Sequence, residues 1–267
     1  MNKSYDLRNG DCIKVLNTFE DGWVDLTVTS PPYDNLRNYN GNNDLWNEGI
    51  WKDVIKELYR VTRDGGIVVW IVGDATINGS ETGTSFKQAL WAKEMGFNLH
   101  DTMIYAKKNP IPQNHNRYEQ CFEYMFVLSK GKPNIFNPIK TITKNAGKEM
   151  EWGNRKTEMD INQARRHRGS DIIEVKSDKN HNNIFEYSIG GGTTGHPAVF
   201  PLQLATDHIV SWSNKGDIVL DCFMGSGTTG IAALNLERKF IGIELDKTYF
   251  ELAKERIESH KPQMELF

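Results

Sequence analysis

The sequence predicts an α/β fold built on a mostly parallel sheet. Strand-like and helix-like patterns alternate at both ends of the chain, and such alternation builds parallel sheets with helices on their faces. A glycine turn, Gly225-x-Gly227-x-x-Gly230, lies directly between one such strand and one such helix. Of 267 residues only 37 (267 − 230) follow Gly230. Most strands must therefore precede the turn, and the sheet is expected in permuted order.

The elements follow in chain order. YDLRNGD reads as a short strand, CIKVLNTF as a short helix and VDLTVT as a β-branched strand. From Trp51 to Val61, apolar residues at 51, 54, 55, 58 and 61 form one helical face, with Gly65-Gly66 as its stop signal. GIVVWIVG is the next strand, and residues 85–95 read as a helix. NLHDTMIYAK and CFEYMFVLSK then read as a strand pair at a sheet edge. Residues 131–195 break the rhythm, being rich in Asn, Lys, Arg, Gly and Thr without a sustained period. They predict a loop-rich insertion anchored by residues such as Ile135, Trp152, Ile172 and Phe185. Pro201 opens a helix carrying Leu202, Ala205 and Ile209. GDIVLDCF, the glycine turn with its helix, and KFIGIELD complete a further strand–helix–strand unit, after which Asp246 caps a helix bearing Phe250, Ala253 and Ile257. Residues 1–130 and 196–267 are thus expected to form one domain, interrupted by 131–195.

Composition narrows the class. With 38% apolar and 25% charged residues, a sizeable core is expected and wholesale disorder is not. No apolar run approaches the ~20 residues of a membrane span. The start, MNKSYDLRNGD, lacks the apolar segment of a signal peptide, so the cytoplasm is the expected compartment. Cys12, Cys121 and Cys222 are far apart, and the seven His residues show no HExxH spacing. Neither a disulfide framework nor a metal site is expected. Charge is uneven: residues 131–181 hold eleven Lys or Arg against seven Asp or Glu, within a chain of net charge −3. A basic segment inside an acidic protein fits either a polyanion contact or a solvated insertion.

The glycine turn has the layout of a nucleoside-cofactor site. It follows a strand, opens a helix, and has Glu244 nineteen residues beyond Gly225 at the end of the next strand; an acid there accepts from ribose hydroxyls. A second match, Gly190, Gly192 and Gly195, runs into His196-Pro197 instead of a helix and reads as a loop. A nicotinamide dinucleotide needs a pyrophosphate seat and usually further βα units downstream. S-adenosylmethionine needs only the glycine turn and the carboxylate.

The strand VDLTVT ends abruptly at Ser30-Pro31-Pro32-Tyr33. Each proline lacks a ladder N–H and fixes its own φ, whereas an ordinary turn favours Gly, Asn or Asp. TSPPY early, with DCFMGSGTTG and IGIELD late, resembles the β group of amino-methylating DNA methyltransferases, which modify cytosine N4 or adenine N6. The resemblance spans nearly the whole chain and is weakest over 131–185. It implies a Rossmann-like S-adenosylmethionine-dependent methyltransferase fold, with a seven-stranded, mostly parallel sheet and an inserted target-recognition region. It implies double-stranded DNA as partner; such enzymes include dimers and members of restriction-modification pairs with a cognate endonuclease.

Carried over by residue, the resemblance places Asp221, Phe223, Gly225, Gly227 and Thr228 around the methionine end of the cofactor, with Glu244 on its ribose and Asp246 beside it. NGDC supplies Asp11 and Cys12 at the adenine ring. HPAVFP supplies Pro197 and Phe200 over the methionine moiety; Phe200 stands where the family commonly has Lys. Ser30 Oγ and the Pro31 carbonyl become acceptors for the two N–H bonds of an exocyclic amino group, pulling its nitrogen towards a tetrahedral shape aimed at the methyl. Pro31 and Pro32 hold that carbonyl fixed, and Tyr33 stacks on a flipped base. Ser at the first motif position is usual for cytosine N4 and Asp for adenine N6, so cytosine is the preferred target. Asp34 and Asn35 serve either as turn formers or as substrate contacts. Arg37 and Tyr39 either line the DNA cleft or cover a sheet edge. Lys144, Lys148, Arg155, Lys156, Arg165, Arg166 and Arg168 are the candidate phosphate or guanine contacts. Cys222 reads as a small buried residue. Protein glutamine methylation, nicotinamide-dependent oxidoreduction and a silent DNA-binding module are the competing readings; the basic insertion and permuted order favour DNA over a protein substrate.

Overall fold

A computed structural model describes residues 4–32, 46–110, 117–152, 171–174, 176–188 and 201–260. The chain opens with β1 (Tyr5–Asn9), α1 (Cys12–Leu16) and β2 (Val24–Thr29), then α2 (Glu48–Val61) and β3 (Thr62–Val72). A small hairpin, β4 (Thr76–Ile77) and β5 (Ser80–Glu81), leads to α3 (Thr84–Glu94), β6 (Asn98–Lys107) and β7 (Phe122–Ser129). Short strands β8 (Lys140–Ile142), β9 (Glu149–Trp152), β10 (Asp171–Glu174) and β11 (Asp178–Asn180) follow. The chain closes with β12 (Ile184–Tyr187), α4 (Leu202–Trp212), β13 (Ile218–Asp221), α5 (Thr228–Asn235), β14 (Lys239–Glu244) and α6 (Lys247–Ser259).

One eight-stranded sheet runs in the order β1-β14-β13-β2-β3-β7-β6-β12. Its pairs are parallel except β3·β7 and β7·β6. The last strands of the chain pair beside the first, which is the permuted order expected. The eighth strand, β12, was not expected, because its residues fell within the polar stretch assigned to the insertion. It pairs in parallel with β6, from Ile184↔Ile104 to Tyr187↔Lys107.

The central strands are buried on both faces, as a parallel sheet covered by helices requires. Along β3, Val68, Trp70 and Val72 join the core under α1, α2 and α3. The alternate residues Ile67, Val69 and Ile71 join the core under α4, α5 and α6. This two-residue period is what the pleat dictates. In α2 the buried residues are Trp51, Val54, Ile55, Leu58 and Val61, the face read from the sequence.

Two boundaries differ from expectation. Gly65 and Gly66 do not end α2; the helix stops at Val61, with Thr62 as an extended C-cap, and the glycines lie inside β3. Gly65 sits at φ 77° where a Cβ would strike the Asn134 side chain, so the pair serves close packing, not helix termination. In α4, Leu202 is exposed, and the buried face is Leu204, Ala205, His208, Ile209 and Trp212. Pro201 is the N-cap, so Leu202 begins the helix on its solvent side.

The chain divides into two compact units, Met1–Asn137 with Asn183–Phe267, and Pro138–Asn182. The second is shorter than the 131–195 expected as an insertion. At its start, Asn137 N–H donates to the Ser211 carbonyl at 2.8 Å; at its end, Ile104 N–H donates to the Asn183 carbonyl, also at 2.8 Å. These bonds tie one flank to α4 and the other to β6. Within Pro138–Asn182, β8 pairs with β11 and β9 with β10, both antiparallel.

Candidate active site

Strands β13 and β2 are neighbours, yet their connections leave in opposite directions: β13 continues through α5 to β14, and β2 through α2 to β3. Ligands of open α/β sheets bind at the carboxyl ends of strands at such a switch point. Both motifs singled out from the sequence end there. Ser30, Pro31 and Pro32 leave the end of β2, with Pro31 buried. Residues 222–227 leave the end of β13 and turn into α5.

The glycine turn is shaped by conformations that side chains rarely adopt. Gly225 has φ 51° and Gly227 has φ 80°. Gly227 N–H donates to the Met224 carbonyl at 2.9 Å, and Met224 N–H donates to the Ile243 carbonyl at 2.9 Å. Gly230 serves a different need: a Cβ there would lie 2.6 Å from Phe240 and 2.8 Å from Ile257. It is the close helix-to-strand contact that the third glycine of such turns provides.

Glu244 closes β14 beside this turn. Its Oε2 accepts from Gly225 N–H at 2.8 Å and its Oε1 from Asp246 N–H at 2.9 Å. Burial is the main cause that raises its carboxyl above the usual range, against the two backbone bonds that lower it. Asp246 caps α6, accepting from the Thr248 and Tyr249 N–H groups. Asp11 caps α1, accepting from Lys14 N–H at 3.0 Å. The NGDC segment is tied to Glu244 directly: Gly10 N–H donates to the Glu244 carbonyl at 2.9 Å, and Asn9 Nδ2 to the same oxygen at 2.8 Å. Asn9 was not singled out from sequence, and only the register of β1 against β14 reveals it.

Asp221, the last residue of β13, is 1% exposed. It accepts from Thr29 Oγ1 at 2.7 Å, Thr229 Oγ1 at 2.7 Å and Phe223 N–H at 3.1 Å. Burial pushes its carboxyl up to about 6 against these three bonds. Burial likewise pushes the Cys12 thiol up to about 12 and the Cys222 thiol well above its ordinary value. Both stay protonated at neutral pH and are poor nucleophiles.

The residues present fit a nucleoside cofactor. Thr228 Oγ1, on the first residue of α5, is buried without a hydrogen-bond partner among the described residues, a group that an ordered water or a ligand would complete. A Cβ at Gly227 would lie 3.0 Å from Ile257 and 3.3 Å from Ala253 of α6, so that glycine serves packing, and the Glu244 oxygens retain lone pairs beyond those given to the amides. Phe223 is held edge-on by Trp46 at 5.3 Å and Trp70 at 6.2 Å between ring centroids. Among the described residues no cluster of His, Cys, Asp or Glu can hold a metal, and no helix is long and apolar enough to cross a membrane.

A model of the N6/N4 methyltransferase family, described as DNA methylase, matches residues 24–255. The chain belongs to this family of DNA methylases. Its members transfer a methyl group to an exocyclic amino nitrogen, N4 of cytosine or N6 of adenine, and use S-adenosylmethionine. The chain is 49% identical over 252 residues to the orphan methyltransferase M.BamHII of Bacillus amyloliquefaciens, covering 90% of this chain and 91% of that one. It is 28% identical over 285 residues to the type II methyltransferase M.SmaI of Serratia marcescens, covering 93% and 89%. Among solved structures, the M1.HpyAVI–SAM complex aligns with TM-score 0.63 and 26% identity over 95% of this chain and 98% of that one. The cytosine-N4-specific PvuII DNA methyltransferase aligns with TM-score 0.70 and 19% identity over 98% and 88%, a likeness of fold.

Within this methylase fold the expected cofactor residues Asp11, Cys12, Asp221, Phe223, Gly225, Gly227, Thr228, Glu244 and Asp246 all lie at the carboxyl ends of β1, β13 and β14, in the turns leaving them, or on the first residue of the helix that follows. Ser30, Pro31 and Pro32 lie at the adjacent strand end. Tyr33, Arg37, Tyr39, Arg155, Lys156, Arg165, Arg166, Arg168, Pro197 and Phe200 lie outside the described residues. Lys144 and Lys148 are exposed in the Pro138–Asn182 unit. Thr29 and Thr229 were missed in the sequence; the signal was a threonine in each buried segment, at strand and helix positions where apolar residues are the rule.

Proposed function

We propose that this DNA methylase transfers the methyl group to N4 of a cytosine flipped out of duplex DNA. The observation that carries the reading is Ser30: a neutral hydroxyl at the first position of the amino-acceptor motif, leaving β2 beside the strand that feeds the glycine turn. Two acceptors, Ser30 Oγ and the Pro31 carbonyl, receive the two N–H bonds of the amino group. That pairing withdraws the nitrogen lone pair from the ring and aims it. Bound S-adenosylmethionine supplies an electrophilic sulfonium methyl. Thr228 Oγ1 and the turn through Gly225 and Gly227 seat its methionine part, and the Glu244 carboxylate receives the ribose hydroxyls. Asp11 and Cys12 border the adenine ring. Tyr33 stacks on the extruded base and replaces part of the lost stacking.

The basic stretch 138–182 is the reading's DNA-recognition region, with Lys144 and Lys148 as phosphate contacts and the Arg165–Arg168 stretch nearby in sequence. With duplex DNA as substrate, the reading keeps the cytoplasm as the protein's compartment. The test is incubation of the full chain with mixed-sequence DNA and S-adenosylmethionine, followed by nucleoside mass spectrometry. N4-methylcytosine is the expected product. N6-methyladenine alone would overturn the choice of base, and neither product on diverse DNA would overturn the whole reading.

A further inference from the structure

We infer that Asp221 is a positioning residue, whose buried carboxylate locks the strand carrying Ser30 to the turn that receives the methyl donor. The inference rests on the methyl-transfer reading above and adds to it the part that sets donor against acceptor.

The geometry is specific. Thr29 immediately precedes Ser30, and Thr229 immediately follows Thr228. Both threonines are fully buried, and both hydroxyls donate to Asp221 at 2.7 Å, one to each carboxylate oxygen. The Phe223 N–H adds a third donor at 3.1 Å to the oxygen that Thr29 uses. One carboxylate therefore fixes the residue before the amino-group acceptor, the residue after the orphaned cofactor hydroxyl, and the start of the glycine turn.

Main-chain pairing does not do this work. The ladder between β13 and β2 consists of Val219↔Leu26 and Leu220↔Thr27, two residues short of Thr29. Beyond it, the Asp221–Thr29 hydrogen bond joins the two strand ends, with the Thr229 hydroxyl also 3.4 Å from the Val28 carbonyl. On its other side β2 is held to β3 as far as Thr29↔Trp70, so the Asp221 bridge completes the clamp on the end of β2. Simple cohesion would be served by apolar side chains, since burying a carboxylate among hydroxyls and one amide, with no cation among its partners, is costly. What the carboxylate adds is fixed length and direction, which dispersion contacts do not give. Methyl transfer depends on both, because misplacement by about 1 Å costs a rate of order 10²-fold.

The experiment uses Thr29→Val, Thr29→Ser and Thr229→Val in the full chain. S-adenosylmethionine affinity is read by calorimetry and methyl transfer by single-turnover assay on DNA. Thr29→Val is expected to slow transfer by roughly 10- to 100-fold while leaving cofactor affinity near that of the parent, and Thr29→Ser is expected to recover most of the rate. Thr229→Val should weaken cofactor binding as well as transfer. The double variant should be less than additive, because both hydroxyls act through one carboxylate. The positioning role is overturned if folded Thr29→Val transfers at the parental rate, or if Thr29→Ser is as slow as Thr29→Val. Absence of transfer by the parent protein on diverse DNA would remove the methyl-transfer reading itself, a result distinguishable because it needs no variant.

Discussion

The strand ends of the main sheet and the Pro138–Asn182 unit are built on opposite principles. At the strand ends the carboxylates are held by defined donors: buried Asp221 has three, half-buried Glu244 has two, and Thr29, Thr228 and Thr229 are closed off from water. In the other unit, Ile142 is 86% exposed, and Lys140, Lys144, Lys148, Lys176 and Lys179 lie exposed along the chain. Its Lys140–Asp178 contact is a 3.8 Å pair between half-exposed side chains, of the kind that contributes little. A reaction centre needs fixed distances, which burial and hydrogen bonding supply. A surface that meets phosphates needs many weak, long-range attractions, which exposed lysines supply without a fixed geometry. The same chain therefore predicts two types of mutational response.

The largest response belongs to the strand ends. Ser30→Ala removes one of the two acceptors proposed for the amino group and leaves the Asp221 bridge to Thr29 in place. Loss of a single transition-state hydrogen-bonding group costs of order 10²–10³-fold, and a reduction of this size is expected in the single-turnover rate. S-adenosylmethionine affinity measured by calorimetry should stay near the parental value. A parallel fall in both would mean that Ser30 supports the fold of the site and does not act on the base.

Next comes a stability effect with a defined pH window. The Asp221 carboxyl is pushed up to about 6 from an ordinary 3.8, chiefly by burial. Between those values the folded chain holds a proton that the unfolded chain releases. Stability contributed by that proton is present at pH 4 and lost as pH rises through 6, a difference of about 3 kcal/mol by linkage. Asp221→Asn keeps an acceptor for Thr29 and Phe223 and carries no charge. It can donate to Thr229, whose hydroxyl has the Val28 carbonyl at 3.4 Å as an alternative acceptor. Thermal unfolding followed from pH 4 to 8 should show the variant gaining on the parent as pH rises, with its advantage largest at pH 8. A constant difference across that range would show that Asp221 carries no burial penalty.

These two regions also differ in how far the sequence discloses them. The β-branched run of β2, the five apolar positions of α2 and the strand–turn–helix around Gly225 read correctly because each is decided locally, by period and by turn chemistry. The order of the motifs, Ser30-Pro31-Pro32-Tyr33 before the glycine turn, discloses the permuted order as well. What stays hidden depends on contacts across the fold. Thr29 and Asp221 are far apart in sequence, so nothing local marks their hydrogen bond. The strand β12 is only four residues long, and its pairing with β6 is what makes it a strand. Gly65-Gly66 looked like a helix stop because the approach of Asn134 is a tertiary fact. Within Pro138–Asn182 the sequence shows charge without period, and the reading there stops at charge.

The smallest response is expected in that unit, and it tests the contrast most directly. Lys144 and Lys148 are exposed, and the recorded side-chain contact of Lys148 is a 3.4 Å hydrogen bond to Asn145 Oδ1. Replacing both by Ala removes two cations and disturbs no core. If they meet DNA phosphates, equilibrium binding should weaken only several-fold at moderate salt, and equally for all sequences, because phosphate contacts carry no base information. The diagnostic quantity is the slope of log affinity against log salt concentration, which should become shallower by roughly one for each lysine removed. The single-turnover rate at saturating DNA and the identity of the methylated base should remain those of the parent, since neither residue belongs to the strand ends. An unchanged salt slope would place these lysines off the DNA and confine the proposed interface to other residues. A changed base or a collapsed single-turnover rate would dissolve the contrast itself, by showing that geometry as well as charge resides in the Pro138–Asn182 unit.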